Sequence, residues 1–205
     1  MPRPRTDIRP RILLAARERF AATGVDASSL RGIASDAGTS IGMVYYYFPT
    51  KDDLFLAVVE DVYVRLLADL EAALGGTDAF TAQVERLYGR IANLSSVEVQ
   101  VVRLVLREAL SSHARLQSLA ERFSRGHIPL IVKAVAQGMR SGQLRTDLHP
   151  LALMGATLSL GTLPQMAARA LGDRLPFAPP PPEELKRQLI SALLSGIGAP
   201  PKAEK

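Results

Sequence analysis

The chain has 205 residues, 47% of them apolar, and a formal net charge of +5; that is enough for one fairly large domain, or for a small domain joined to a larger one. It has no cysteine, which excludes disulfides and thiolate metal sites. His113, His127 and His149 lack the spacing of a ligand set, so neither a metal nor another cofactor is expected. Within residues 1–51 the bases Arg3, Arg5, Arg9, Arg11, Arg17, Arg19, Arg31 and Lys51 outweigh Asp7, Glu18, Asp26 and Asp36 by four charges. An excess gathered into one quarter of a chain suits a segment that meets a polyanion.

Apolar residues recur at helical spacing almost throughout, and no stretch alternates with period two for long enough to make a sheet, so the chain reads as all-α. Ile8, Ile12, Ala16 and Phe20 mark a first helix that stops at Gly24, with Pro10 in its first turn, where a missing N–H is tolerated. Ser28 or Ser29 caps a short second helix carrying Leu30, Ile33, Ala34 and Ala37, which ends at Gly38. Thr39 or Ser40 starts a third. Thr50 with Asp53 matches a capping box, opening a long fourth helix whose stripe Phe55, Val59, Val62, Leu66, Leu70 and Leu74 runs to Gly75-Gly76, roughly 36 Å at 1.5 Å per residue.

Phe80, Val84, Leu87 and Ile91 mark a further helix, and "VQVVRLVLREAL" predicts a central buried one. Another is expected from about Leu116 to Gly142, kinked near Pro129. "HPLALMGATLSLGTLPQMAARAL" and "PEELKRQLISALLSGI" supply two more, joined by the surface connector "LPFAPPPP". About nine helices are expected in all.

Three adjacent tyrosines, Tyr45, Tyr46 and Tyr47, cannot all face one core, because successive helical residues point about 100° apart. On that spacing Ile41, Val44, Tyr45 and Phe48 form the apolar face of the third helix. Thr39, Gly42, Met43 and Tyr46 lie opposite, with Ser40 and Tyr47 on the flank. The outer face is small, hydroxyl-bearing and aromatic, with scarcely any charge. A helix in the DNA major groove wants short side chains and hydroxyls that reach phosphates and base edges. Two short helices joined by a turn at Gly38 make a helix-turn-helix whose second helix reads. Tyrosine hydroxyls and Lys51 would hold phosphates, while Thr39, Met43 and Arg31 meet bases.

The stretch from Arg11 to Glu60, above all "FAATG", "SSLRGIASDAG" and "YYYFPTKDDLF", resembles the DNA-binding domain of the TetR/AcrR family of transcriptional regulators in order and spacing. The resemblance implies that Arg31, Thr39, Ser40, Gly42, Met43, Tyr45, Tyr46 and Lys51 approach double-stranded operator DNA; Tyr47 stands where the family often has histidine. It further implies a helix-turn-helix domain at 1–53, an effector-binding and dimerisation domain at 54–200 and a tail at 201–205. Residues of about 148–171 and 183–197 would pair with their copies in a homodimer. The function implied is a ligand-responsive regulator, most simply a repressor released from a pseudo-palindromic operator by a small-molecule effector. An effector-independent DNA-binding protein and a helical carrier or enzyme are the alternatives.

"GTSIG" fits a hydrolase nucleophile elbow around Ser40, but an elbow needs an entering strand and "LRGIASDA" reads as helix, so no catalytic residue is expected. Residues 148–168 carry no charge. Their polar members and Pro164 favour a helix interface over a membrane span, and a cytoplasmic protein is expected. Arg103 and Arg107 lie one turn apart in the apolar helix, where a salt bridge to Glu98, Glu108 or a neighbouring helix is the ordinary expectation. The sharper one is that one of them meets an anionic or polar effector in the helical pocket, near Phe123, His127 and the kink at Pro129.

Overall fold

The computed structural model describes residues 7–198; Arg3, Arg5 and the tail expected at 201–205 lie outside the described residues. The helices are α1 (Ile8–Thr23), α2 (Leu30–Asp36), α3 (Ile41–Tyr47), α4 (Lys51–Leu74), α5 (Phe80–Ala92), α6 (Ser96–Ser111), α7 (His113–Ser124), α8 (His127–Arg140), α9 (Pro150–Leu171) and α10 (Pro182–Ile197). A 3₁₀ turn at Gly172–Arg174 follows α9, and among the described residues β pairing is limited to one isolated bridge between Leu144 and Gly198. The chain packs as two compact units, residues 1–66 with 95–122 and residues 67–94 with 123–205.

In the first unit α1 buries Ile12, Leu13, Ala16 and Phe20, packing against α2 and α6. Ile33, Val44, Leu54 and Phe55 complete a fully buried core beneath the short helices. The expectation of a central buried helix does not hold for α6. Only Val101, Leu104 and Glu108 are buried, while Leu106 and Leu110 are exposed, the latter at 91%. An apolar run has two sides, and α1 covers one of them. Ser95 and Glu98 close a reciprocal capping box at the start of α6, Ser95 N–H donating to Glu98 Oε2 at 2.7 Å.

The helix expected from Leu116 to Gly142 is two helices, so the described residues hold ten rather than about nine. Gly126, at φ −126° and ψ −115°, breaks the run, and Pro129 falls harmlessly in the first turn of α8. In the second unit α5 packs Phe80, Val84, Leu87 and Tyr88 among α8, α9 and α10. Tyr88 is wholly buried and donates its hydroxyl hydrogen to the Thr157 carbonyl at 2.9 Å; burial pushes this phenol well above the usual range. Gly161 lets the ring lie close against α9, because a Cβ there would stand 2.5 Å from Tyr88 Cε1. Arg169 of α9 caps α5, donating to the carbonyls of Ala92 and Leu94.

Of the described helices, α9 alone is long and apolar enough to cross a membrane. It packs against α5, α8 and α10 and buries the polar Thr157 and Gln165, each hydrogen-bonded one turn back. The expected proline connector follows: Phe177 is exposed, and Pro179 to Pro182 wall a cavity of about 380 Å³ with Ala92, Gln165, Ala168, Arg169 and Leu185.

Candidate nucleic-acid interface

The turn between α2 and α3 is built from local hydrogen bonds. Ser29 caps α2 by accepting from Gly32 N–H at 3.0 Å. The chain reverses at Gly38, whose φ of +59° is left-handed backbone that costs glycine little. Thr39 N–H returns to the Ala34 carbonyl at 2.9 Å, and Ser40 caps α3 by accepting from Met43 N–H. Arg11 of α1 clamps this turn, its Nε donating to the Ala37 carbonyl at 2.8 Å and its Nη2 to Gly38 at 2.6 Å. Arg19 grips Asp36 with both ends of its fork and holds that carboxyl below its ordinary range. Two arginines of the basic N-terminal quarter therefore fix the position of α2. "GTSIG" spans this helix-to-helix turn, with α2 where a hydrolase elbow has a strand.

On α3, Val44 and Phe48 are buried and Ile41 is half-buried. Gly42 is exposed, a Cβ there meeting only Ser40 Oγ at 3.8 Å, Tyr46 is 77% exposed, and Thr39, Met43 and Tyr47 are half-buried at the edges. Tyr45, placed on the apolar face by helical spacing, is 53% exposed. The seven-residue helix ends at Tyr47 and Phe48 turns in from extended backbone, so the core needs only Val44, Phe48 and part of Ile41. The rings of Tyr46 and Tyr47 meet edge to face at 5.1 Å, and Arg9 lies over Phe48 at 5.5 Å.

Beside this face a groove of about 450 Å³ brings together Arg31, Tyr45 and Lys51 from the expected set, with Ser28, Ser29, Leu30 and Ile41. Arg31 is exposed on α2. Lys51 donates its ammonium to the Asp26 carbonyl at 2.9 Å, which keeps the cation at the rim. Next to it Thr50 and Asp53 close the expected capping box: Asp53 accepts from Thr50 N–H at 3.0 Å and Thr50 Oγ1 accepts from Asp53 N–H at 3.0 Å.

Behind Lys51 lies a charge cluster that sequence reasoning missed. Arg115 of α7, 8% exposed, donates to Asp26 in the α1–α2 turn, to Asp52 in the first turn of α4 at 2.8 Å and to buried Glu108 of α6 at 2.6 Å. Glu108 also accepts from Val25 N–H and from Arg107 Nε, each at 3.2 Å. The Arg115 guanidinium holds the Asp26 carboxyl low, and Arg115 is itself held further above its ordinary value. Nothing local in the sequence distinguishes Arg115 from a surface arginine; its partners are 7 to 89 residues away.

Of the four residues expected to meet an effector, Arg103 and Arg107 line a cleft of about 510 Å³ between α1 and α6, with Glu18, Ala21, Val99, Gln100 and Leu104 among its walls. Arg107 is occupied there. It forms the expected salt bridge with Glu108 and donates to the carbonyls of Phe20 and Ala21, capping the end of α1. Phe123 and His127 belong to the other unit, their rings 4.9 Å apart across the α7–α8 turn.

A two-helix reading element clamped by a third helix, with an aromatic outward face, defines a protein of the helix-turn-helix transcription-regulator class. Residues 12–58 match the family described as "Bacterial regulatory proteins, tetR family". Over 195 residues, 92% of each chain, the protein is 28% identical to the HTH-type transcriptional regulator UidR of Escherichia coli K12. Its fold resembles that of a TetR-family protein from Vibrio parahaemolyticus, with a TM-score of 0.73, 21% identity and coverage of 95% of this chain and 100% of that one. It likewise resembles FadR of Bacillus subtilis, solved with stearoyl-CoA, with a TM-score of 0.72, 19% identity and coverage of 92% and 98%. The match to the tetR family of bacterial regulatory proteins thus lies in residues 12–58, and the likeness to a helix-turn-helix transcriptional regulator extends over most of the chain.

Proposed function

We propose that the protein is a ligand-responsive repressor that binds a pseudo-palindromic operator as a homodimer, acts in the cytoplasm and leaves DNA when a small molecule binds. The observation that carries this is the outward face of α3. Gly42 permits close approach, Tyr45 and Tyr46 present hydroxyls, and no carboxylate interrupts the helix from Ile41 to Tyr47. Thr39, Ser40, Met43 and Arg31 would meet base edges or neighbouring phosphates, with Tyr45, Tyr46, Tyr47 and Lys51 on the sugar-phosphate backbone. In this reading residues 1–53 hold the DNA and residues 54–200 bind effector and partner.

Dimerisation through residues 148–171 and 183–197 is supported by exposed Leu151, at 69%, and Leu163, at 53%, with exposed Gly155 permitting close helix approach. Two copies of α3 would then enter successive major grooves. Release requires that effector prefer a form in which their spacing no longer fits. The B. subtilis neighbour was solved with stearoyl-CoA, a ligand with a long acyl chain, and this supports an apolar or amphipathic effector.

The test is a mobility shift on the DNA flanking the protein's own gene, repeated with hydrophobic small molecules, alongside a measurement of mass in solution. A retarded band that one compound class abolishes, from a protein of dimer mass, is the expected outcome. A monomer that ignores every duplex at low ionic strength overturns the proposal. A shift that no ligand changes leaves an effector-independent regulator.

A further inference from the structure

We propose that Arg115, a residue of α7 outside the DNA-reading helices, masks two carboxylates at the rim of the DNA groove and so sets how strongly the protein binds any duplex. The inference rests on the DNA-binding reading above and adds a residue that nothing in the helix-turn-helix motif contains.

The geometry is specific. Asp26 and Asp52 flank Lys51: the first lends its carbonyl to the Lys51 ammonium, and the second is the next residue along α4. Both carboxylates are open to solvent, 77% and 55% exposed. DNA that approaches Lys51, Tyr45 and Arg31 in this groove must approach them too. Arg115 reaches both from beneath, at 8% exposure, and its Nη1, shared with Asp26, also donates to Glu108 at 2.6 Å. Three carboxylates are thus matched by Arg115, Arg107 and Lys51, and the cluster is neutral.

Without Arg115 this rim becomes net negative within a few ångströms of the cation meant for phosphate. At that range, less than one Debye length at physiological salt, unit charges are poorly screened. Asp53 does not change the argument, because its carboxylate is already engaged by Thr50 with or without Arg115. A guanidinium suits the task better than an ammonium, since one planar fork can hold several carboxylates at once.

The experiment measures affinity of the full chain for a random-sequence duplex of about 30 base pairs by fluorescence anisotropy at 50 and 200 mM salt. It compares R115M, R115K, D26N/D52N and the triple variant R115M/D26N/D52N with the wild type. Masking expects R115M to weaken binding about tenfold at the lower salt and only about threefold at the higher. D26N/D52N should restore most of that loss when combined with R115M, and R115K, which keeps a cation, should lose about twofold.

A purely structural role for Arg115 gives a different pattern: the same loss in both backgrounds, independent of salt, with R115K as weak as R115M. Any of these overturns the proposal. Should R115M not fold, the decision falls to the triple variant, which carries fewer unpaired charges, and to R115K: affinity near wild type in both supports masking, and loss in both overturns it. Wild-type affinity for the duplex reports separately on the DNA-binding reading, so the two cannot fail unnoticed together.

Discussion

Gly161→Ala sets two physical terms against each other in the α5–α9 contact, and the structure says which prevails. Alanine is favoured over glycine inside a helix by about 1 kcal/mol. The new methyl, however, would stand 2.5, 2.9 and 3.1 Å from three ring carbons of Tyr88. That ring has no exposure and is tethered by its hydroxyl to the Thr157 carbonyl of the same helix, so it cannot slide away without losing a buried hydrogen bond. Overpacking of this kind costs roughly 1–3 kcal/mol, and a lost bond adds about 1 kcal/mol. The balance is a destabilisation of about 1–3 kcal/mol, which lowers the melting temperature by about 2–4 °C per kcal/mol in a chain of this size. Thermal melts followed by circular dichroism measure it. Tyr88→Leu is destabilising alone but should relieve the clash, so the double variant should lose less than the two single losses together. A Gly161→Ala protein as stable as the wild type would refute the reasoning, since it would mean that α9 can move off α5 freely.

On the DNA side, Tyr46→Ala and Lys51→Ala should weaken binding to all sequences and flatten the dependence of log affinity on log salt, as loss of a backbone contact does; unchanged slopes in both exclude this face. Substitutions at Thr39 or Met43 should instead alter which sequences are selected from a random library, with mismatched base pairs discriminated by roughly 1–3 kcal/mol. Ser29→Ala should cost about 1 kcal/mol through loss of the α2 cap, read as a lower denaturation midpoint without a change in slope. For the Arg19–Asp36 pair the folded carboxyl titrates below its unfolded value, so its contribution is present above about pH 4 and fades as pH falls through the depressed folded value. Urea titrations should therefore find Asp36→Asn less stable than wild type at pH 7, with the gap narrowing as the pH is taken down into the acid range; a constant gap contradicts an ionic origin.

Features decided by neighbours in the chain were legible without coordinates. The stop at Gly24, a cap at Ser28 or Ser29, another at Thr39 or Ser40 and the Thr50–Asp53 box each depend on residues within one helical turn, and the structure has the stop, the box and, of each pair, the caps at Ser29 and Ser40. What depended on distant partners was not legible. Arg11 and Arg19 read as charge for DNA, yet both are spent on α2 and its turn, 26 and 17 residues away. "VQVVRLVLREAL" is apolar on more than one side, and composition does not say that α1 covers only one of them. Tyr45 fell on the apolar face by helical spacing, yet the core takes only Val44, Phe48 and part of Ile41, and spacing does not say how wide a face the core will cover. A single glycine, Gly126, divided a run that periodicity joined.

The segment from Pro179 to Pro182 offers four consecutive residues with no amide hydrogen. It borders α9 and α10, and the exposed Leu151, Leu163 and Leu171 of α9 would tempt any extended chain nearby to stack upon them. A stretch that cannot donate cannot seed a ladder. The link that follows α9 is therefore inert toward fibril-like growth, leaving helix-to-helix contact as the way that surface can be covered.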